Sequence, residues 1–187
     1  LVYGDTNSTL AGALSAIKLG VPVAHVESGL RSYNRKMPEE INRVITDQIS
    51  DVLFCPTKNA VHNLMDEGFN NQVKTILNVG DVMQDTAKYF SKLAFPPKLK
   101  IPSDFILATI HRAENTDNPN RLLEITSALN YIHKNVCEVI IPLHPRTKKK
   151  LQDFGLILST IVAEPVGYLE MLWLLSNCNL VLTDSGG

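Results

Sequence analysis

The chain has few cysteines and no pairing pattern among them. Its three cysteines, Cys55, Cys137 and Cys178, stand far apart, and none has a His or Cys neighbour at the spacing of a metal site. An odd, scattered set excludes a disulfide framework and gives no support to a zinc centre. We therefore expect no bound metal, and a reducing cytoplasm fits this cysteine usage.

Long apolar runs and excess charge are also lacking. No run approaches the roughly 20 apolar residues that span a bilayer, and the first residues lack a signal-peptide layout. The 18 Lys and Arg balance 19 Asp and Glu, and the basic run at 148–150 carries no interleaved aromatic residues. The sequence therefore predicts a soluble protein with neither a membrane nor a nucleic acid as its partner.

Common nucleotide and nucleophile motifs are absent as well. The chain contains no Walker loop, no Gly-x-Gly-x-x-Gly and no Gly-x-Ser-x-Gly. Hydride transfer and serine hydrolysis lose support for this reason.

The chain does contain a regular alternation of short apolar runs, rich in β-branched residues, with longer segments of helical period. This pattern is typical of βα units on a parallel sheet, so we predict an α/β fold throughout. The predicted strands are 1–3, 22–26, 52–54, 73–79, 105–109, 139–143, 160–163 and 180–183. The predicted helices are about 10–20, 38–50, 58–67, 82–93, 119–132, the lysine run 148–150, and 168–176.

A proline-rich stretch interrupts this alternation. Residues 94–103 hold Pro96, Pro97 and Pro102 and show no periodic pattern, as expected of an interdomain linker. We place the boundary near Pro97, which predicts one Rossmann-like domain over 1–96 and a second over 97–187. Ligands of two such domains, facing across a cleft, gather at the carboxyl ends of the strands.

Polar residues cluster at four of these predicted strand ends. The clusters are Gly4-Asp5-Thr6, His25-Val26-Glu27-Ser28-Gly29-Leu30-Arg31, His111-Arg112-Ala113-Glu114-Asn115 and Thr183-Asp184-Ser185-Gly186-Gly187. A carboxylate such as Glu27, at the end of a buried strand, must be paired, hydrated or raised in pKa. The last cluster exposes backbone suited to a diphosphate if a helix follows it.

The acidic residues also have ordinary structural explanations. Asp5 fits a turn or a helix N-cap. Glu39 and Glu40 fall in the first turn of a helix, where they oppose its dipole, and Glu40 can pair with Arg43 at i,i+3.

The basic and histidine positions leave alternatives open in the same way. His111 and Arg112 could hold an anion or orient a base, or simply be exposed at a strand end. His144 stands next to Pro145, which indicates either a rigid turn or the wall of a pocket.

Taken in order, the four clusters together with Pro38-Glu39-Glu40-Ile41-Asn42-Arg43 resemble the non-hydrolysing UDP-N-acetylglucosamine 2-epimerase family. The resemblance covers essentially the whole chain. It implies a glycosyltransferase-B-like fold, a UDP-sugar substrate, no cofactor and a homodimer at full length. The implied reaction interconverts UDP-N-acetylglucosamine and UDP-N-acetylmannosamine through elimination of UDP to a 2-acetamidoglucal.

Site roles follow from the same resemblance. It implies acid/base roles for Asp5, Glu27 and Glu39, and a role in proton transfer or on the diphosphate side for His111. Which carboxylate removes the C2 proton stays open. The residues implied to bind substrate are Arg43, Arg112, Ser185, Gly186 and Gly187, and Arg112 and His144 match positions that contact a regulatory nucleotide sugar in some members.

The chain departs from the family pattern at its ends. The family's amino-terminal Gly-Thr-Arg-Pro-Glu loop and the Gln-Glu-Glu helix expected after Gly187 are missing, so we expect a fragment. Three alternatives stay open: a 2-epimerase for a UDP-2,3-diacetamido uronic acid, a hydrolysing relative, and an inactive nucleotide-binding remnant.

Overall fold

The computed structural model describes residues 1–185. Contacts divide the chain into two compact units, Leu1–Thr86 and Ala87–Gly187. This division falls inside a helix, before the proline-rich stretch in which the sequence placed its boundary. The domain limits 1–96 and 97–187 stay a prediction.

Four strands alternate with four helices from the amino terminus through the end of the first unit. In chain order they are β1 (Val2–Tyr3), α1 (Asn7–Lys18), β2 (Ala24–Val26), α2 (Pro38–Ile49), β3 (Val52–Cys55), α3 (Lys58–Asp66), β4 (Thr75–Asn78) and α4 (Val82–Phe90). A short 3₁₀ turn, Phe69–Asn71, lies between α3 and β4. The predicted strand over 73–79 is shorter in the structure, because Val73 lies fully exposed in the loop before β4.

The second unit repeats the alternation. After a 3₁₀ turn at Ser91–Leu93 come β5 (Ile106–Thr109), α5 (Ala113–Thr116), α6 (Pro119–Asn135), β6 (Val139–Pro142), α7 (Pro145–Asp153), β7 (Ile161–Ala163), α8 (Tyr168–Asn177) and β8 (Leu180–Thr183). Helix α5 was not predicted, because four residues are too few to show a helical period.

Each unit contains a four-stranded, fully parallel sheet. The strand orders are β1-β2-β3-β4 and β7-β6-β5-β8. All strands of a parallel sheet end at the same edge, so the polar clusters that follow β1 and β2 meet in one unit and those that follow β5 and β8 meet in the other. This confirms the predicted α/β class.

The second sheet is covered on both faces. Neighbouring residues of β6 point to opposite sides: Ile141 packs in a cluster with Leu122 and Leu129 of α6, and Ile140 in another with Leu174 of α8. Parallel sheets are buried in this way because their crossover helices lie on the faces. The first sheet has its main apolar cluster around Leu53, Cys55, Ala60, Leu64 and Phe69.

Side-chain caps start several of the helices. Thr6 accepts from the N–H of Thr9 at the start of α1, and Asn118 caps α6. His144 is the N-cap of α7: its Nδ1 accepts from Arg146 N at 3.2 Å, and Pro145 follows in the first turn. Of the two interpretations of His144, this geometry favours the rigid turn. Across residues 1–185, none of the helices has the length and apolar character needed to cross a bilayer.

Candidate active site

Glu27 lies immediately after β2 in a left-handed backbone conformation, with φ of 72°. A non-glycine residue in this region carries strain of about 1 to 3 kcal/mol and persists only where the surroundings hold it. The surroundings are visible here, since the N–H groups of Glu27 and Ser28 both donate to the carbonyl of Phe54 at 3.1 Å. Strain of this kind is concentrated at functional sites in proteins.

The Glu27 carboxyl sits among other acids. Its pKa is raised, first by partial burial and then by the nearby carboxylates of Asp5 and Asp81, against the lowering effect of Arg43 and His25. Glu27 and Asp81 line a pocket of about 10 Å³, which is room for about one water molecule. A carboxyl with a raised pKa at such an edge is suited to give and take a proton.

Two side chains of α2 hold Asp5. Arg43 Nη2 donates to Asp5 Oδ2 at 2.6 Å, and Asn42 Nδ2 donates to the carbonyl of Asp5 at 2.8 Å. Arg43 Nη1 also donates to Glu40 Oε2 at 3.1 Å. The predicted i,i+3 pair of Glu40 and Arg43 is therefore confirmed, and Arg43 bridges Glu40 to Asp5.

The adjacent glutamates of α2 have different environments. Glu40 is 1% exposed and accepts from Ser32 N, Ser32 Oγ and Tyr33 N at 2.8, 3.0 and 3.0 Å. Burial alone would raise the pKa of Glu40, but these hydrogen bonds and that of Arg43 outweigh it and lower the pKa. Glu39 is exposed, and the described residues offer it no hydrogen bond or ion pair. Glu39 is thus the free carboxylate of the two, and its assigned role stays a prediction.

In the second unit, Asp184 organises the loop that follows β5. Its carboxylate accepts from His111 N at 3.1 Å, from Arg112 N at 3.0 Å and from Asn115 Nδ2 at 3.1 Å. The His111 side chain also approaches it, with Nδ1 at 3.2 Å from Oδ1. Burial would raise the pKa of Asp184, but these donors more than compensate and lower it.

Those predicted binding residues of this unit that the structure describes lie around Asp184. The His111 side chain is 56% exposed, so its ring is open to a ligand. Arg112 lies at the edge of ion-pair distance from Glu114, at 4.0 Å, and its guanidinium is available to an anion. Ser185 N donates to Thr183 Oγ1 at 3.0 Å. Gly186 and Gly187 lie outside the described residues.

A pocket of about 210 Å³ adjoins the same strand ends. Thr109, Thr183 and Asp184 line it on the polar side, and Ile125 and Leu129 of α6 contribute to its apolar wall. Its lining suits carbon atoms better than phosphate oxygens. Within residues 1–185, no group of three or more His, Cys, Asp or Glu side chains lies together in a way that could hold a metal ion.

Comparison with known proteins decides the family. The family model described as UDP-N-acetylglucosamine 2-epimerase matches residues 1–187. The chain belongs to the UDP-N-acetylglucosamine 2-epimerase family. It is therefore part of a nucleotide-sugar isomerase family, as the order of its motifs predicted.

Individual relatives agree. This epimerase-family chain is 61% identical over its whole length to the UDP-2,3-diacetamido-2,3-dideoxy-D-glucuronate 2-epimerase of Pseudomonas aeruginosa, of which it covers 53%. It is 47% identical to a UDP-N-acetylglucosamine 2-epimerase of Methanococcus maripaludis, of which it covers 55%. The chain spans about half the length of these curated relatives.

A solved structure supports the fold. The crystal structure of Methanocaldococcus jannaschii UDP-GlcNAc 2-epimerase in complex with UDP-GlcNAc and UDP matches 99% of this chain and 54% of its own, with a TM-score of 0.84 and 46% identity. The two parallel four-stranded sheets thus match an epimerase structure over about half its length.

Sequence reasoning missed two residues of this candidate site, Asp47 and Asp81. Asp47, fully buried on α2, accepts from His25 Nδ1 at 2.6 Å and from Arg31 Nη1 at 2.8 Å. The sequence did carry a signal for Asp47. Glu40, Arg43 and Asp47 are spaced three and four residues apart, so their side chains lie on one face of a helix. The role of Asp81 gave no such signal, because its approach to Glu27 depends on the loop after β4.

Proposed function

We propose that the whole protein is a 2-epimerase for UDP-2,3-diacetamido-2,3-dideoxy-D-glucuronate. The observation that carries the proposal is the 61% identity to the Pseudomonas aeruginosa enzyme of that name, against 47% to the Methanococcus maripaludis UDP-N-acetylglucosamine enzyme. This substrate was an alternative at the level of sequence, and it now stands ahead of UDP-N-acetylglucosamine.

The proposed reaction exchanges the configuration at C2 of the sugar. A base takes the C2 proton, the C2–H electron pair forms the C1–C2 double bond, and the C1–O bond breaks to release UDP. A proton then returns to C2 on the opposite face while UDP adds back to C1. Atoms and charge balance without an external oxidant or reductant.

The first unit supports the proton transfers. Glu27 has a raised pKa and partial burial, so its protonated and ionised forms are closer in energy at neutral pH than those of an ordinary glutamate. Asp5 is ion-paired with Arg43, and Glu39 offers a second exposed carboxylate at the start of α2. We assign the proton transfers to Glu27 with Asp5 or Glu39 as the second group.

The second unit supports the handling of UDP. The loop anchored by Asp184 presents the exposed His111 ring and the Arg112 guanidinium. Leaving-group charge on a diphosphate is stabilised by such cationic and N–H donors. We assign the diphosphate side to His111 and Arg112, together with Ser185 and the glycines that follow it.

UDP-N-acetylglucosamine is the second candidate substrate. It is favoured by the match to the Methanocaldococcus jannaschii enzyme in complex with UDP-GlcNAc and UDP. The two substrates share the reacting C2 centre and UDP, and they differ at C3 and C6, so the same acid/base groups serve either.

The test is a direct comparison of the two substrates. The whole protein is incubated with each UDP-sugar in D₂O, and NMR follows the C2 epimer and deuterium incorporation at C2. We expect kcat/KM to be at least about 100-fold higher for the diacetamido uronate, as sites built around polar substituents discriminate strongly. A kcat/KM equal or higher for UDP-N-acetylglucosamine would reverse the order of the two candidates. The Glu27→Gln protein is the control for background exchange.

A further inference from the structure

His25 is a fully buried histidine held between two acceptors. Its side chain is 0% exposed. Nδ1 lies 2.6 Å from Oδ1 of Asp47, and Nε2 lies 2.9 Å from the carbonyl oxygen of Gly4. Neither of these ring nitrogens is left free for a substrate.

The nature of the two partners decides where the ring protons are. A backbone carbonyl only accepts, so Nε2 must donate to Gly4. On the other side, Oδ2 of Asp47 already accepts from Gly29 N at 3.1 Å and from Arg31 Nη1 at 2.8 Å. Two donors on Oδ2 and an ion pair with Arg31 are the contacts of a carboxylate, and both oxygens of a carboxylate accept hydrogen bonds.

Neither neutral tautomer fits this site. A ring with its proton on Nε2 alone turns an Nδ1 lone pair toward the Asp47 carboxylate. A ring with its proton on Nδ1 alone turns an Nε2 lone pair toward the Gly4 carbonyl. Each tautomer sets two acceptors against one another in a buried place, where an unmade hydrogen bond is costly.

We infer that His25 is a buried imidazolium, protonated on both nitrogens, that positions the acid/base carboxylates and does not itself exchange protons with the substrate. Through Nε2 it fixes the Gly4 carbonyl, and therefore the turn that carries Asp5. Through Nδ1 it ties that turn to α2, the helix that supplies Arg43 to Asp5.

Arg31 extends the cluster to a second carboxylate. It also donates to Glu67, with Nε at 2.6 Å from Oε1. Glu67 is partly exposed, whereas His25, Arg31 and Asp47 are almost fully buried. Arg31 and Asp47 therefore form the buried ion pair of the cluster, and the two acceptors around the His25 ring, rather than the sum of charges, decide its protonation.

Other charged or titratable groups act on the pair from each neighbouring element. They are Glu27 and Arg31 from the loop after β2, Cys55 from β3, and Lys74 from the segment before β4. Burial raises the pKa of the Cys55 thiol, so it adds no charge. Lys74 and Arg31 bring positive charge to Asp47, and Glu27 brings negative charge to His25.

The charge of His25 affects the pKa of Glu27. The His25 charge is among those that lower the pKa of Glu27, against the raising effect of burial and of Asp5. Its catalytic meaning rests on the proposed function, because it is there that Glu27 transfers a proton. The protonation state of His25 does not depend on any substrate.

The first experiment reads that state directly. The whole protein is labelled with ¹⁵N-histidine, and the ring resonances of His25 are assigned by their loss in His25→Gln. We expect both ring nitrogens to be protonated in the folded protein at pH 7, as two hydrogen bonds to acceptors require. A single ring proton at pH 7 would overturn the inference. If His25→Gln does not fold, through-bond correlations from the His25 backbone assign the ring in the wild-type protein, so the same measurement still decides.

The second experiment separates an electrostatic role from a merely structural one. The Glu27 carboxyl is titrated by ¹³C NMR in His25→Gln and in the control His62→Gln, whose parent side chain is exposed on α3. We expect the pKa of Glu27 to rise in His25→Gln and to stay unchanged in His62→Gln. We also expect kcat of His25→Gln to fall about 100-fold with a smaller change in KM, because the acid/base carboxylates are then misplaced relative to the substrate. An unchanged pKa of Glu27 in a folded His25→Gln protein would refute the electrostatic role of His25. Both NMR measurements are made without substrate. An enzyme that is inactive, or that prefers another substrate, would therefore refute the proposed function but leave the inference about His25 standing.

Discussion

Arg43 Nη2 and Asp5 Oδ2 lie 2.6 Å apart, although their residues are 38 positions apart in the chain. The contact joins the turn between β1 and α1 to the middle of α2, and α1 and α2 pack against one another in the first unit. The same guanidinium reaches Glu40 through Nη1. One side chain therefore links a buried anchor to a candidate acid/base carboxylate.

Replacing Arg43 tests that link. Arg43→Met removes a cation that lowers the pKa of Glu27, so we expect that pKa to rise and the corresponding limb of the pH-rate profile to move to higher pH. Arg43→Lys keeps the charge but cannot reach both partners with a rigid fork. It should move the pH profile less while still lowering kcat/KM. A downward shift of the Glu27 titration in Arg43→Met would contradict this assignment.

The two neighbouring glutamates of α2 provide a matched pair. Glu40→Gln leaves buried donors of Ser32, Tyr33 and Arg43 without a carboxylate, and we expect a loss of about 2 kcal/mol in the free energy of unfolding at pH 7. Glu39→Gln alters an exposed side chain to which the described residues offer no hydrogen bond or ion pair, so stability should fall by only about 0.5 kcal/mol, the helix-dipole effect, while epimerase activity falls. Urea denaturation and a turnover assay distinguish them. Equal destabilisation by both would refute this division of roles.

The pH dependence of the Glu40 effect has a definite sign. The folded-state pKa of Glu40 lies below its ordinary value of 4.5, so its contribution to stability is present above pH 4.5 and is lost as the pH falls through the folded value. The difference in unfolding free energy between wild type and Glu40→Gln should therefore shrink as the pH is lowered below 4.5. A difference that grows on acidification would show that another group is responsible.

Glu27→Gln should separate activity from stability. Loss of an acid/base group costs about 100-fold to 10,000-fold in rate. Glu27 has a raised pKa, so its ionised form costs stability at pH values above its ordinary value, and glutamine removes that cost. We expect very low turnover with an unchanged or slightly higher melting temperature. Wild-type turnover would exclude Glu27 from the proton transfers.

Gly29 is the backbone position on which the Glu27 loop depends. It has φ of 77°, and an added Cβ would lie 2.4 Å from the carbonyl oxygen of Ala60. We expect Gly29→Ala to cost about 3 kcal/mol, from the left-handed backbone and the clash together. Gly20 has φ of 70° with nothing within 4 Å of the added atom, so Gly20→Ala should cost only about 1 kcal/mol. Urea denaturation of both variants measures the difference, and similar losses would mean that the clash with Ala60 is relieved.

Asp184→Asn tests the second unit. An amide has one acceptor oxygen for the three donors of His111, Arg112 and Asn115, and its NH₂ group replaces the second oxygen and the negative charge. We expect weaker binding of UDP to the whole protein, by about 10-fold in calorimetry, as expected when a charged hydrogen-bond acceptor is lost. The control is Asp104→Asn. Asp104 is exposed and lies just before β5, at the end of that strand opposite to the His111 loop. Unchanged UDP affinity in Asp184→Asn would show that this loop does not contribute to nucleotide binding.

Local patterns predicted most of the elements, because a period of two or 3.6 residues and capping residues such as Thr6 and Asn118 are properties of neighbouring residues. They also brought out the polar strand ends that carry Asp5, Glu27 and His111. The ordered motifs indicated the family, which the family comparison confirmed. For the substrate, the sequence placed UDP-N-acetylglucosamine first, whereas the 61% identity to the Pseudomonas aeruginosa enzyme favours the diacetamido uronate as our proposal.

By itself, the sequence determined the α/β class, the approximate positions of most strands and helices, and the residue types available for chemistry. Only the tertiary structure decided which of those side chains act on one another: that Glu40 is an anchor and Glu39 is exposed, that Asp47 holds His25 and Arg31, and that Asp81 lies near Glu27. The physical reason is that charge interaction and burial depend on distance through space. Residues such as Asp5 and Arg43 come together only when the strands and helices between them have packed.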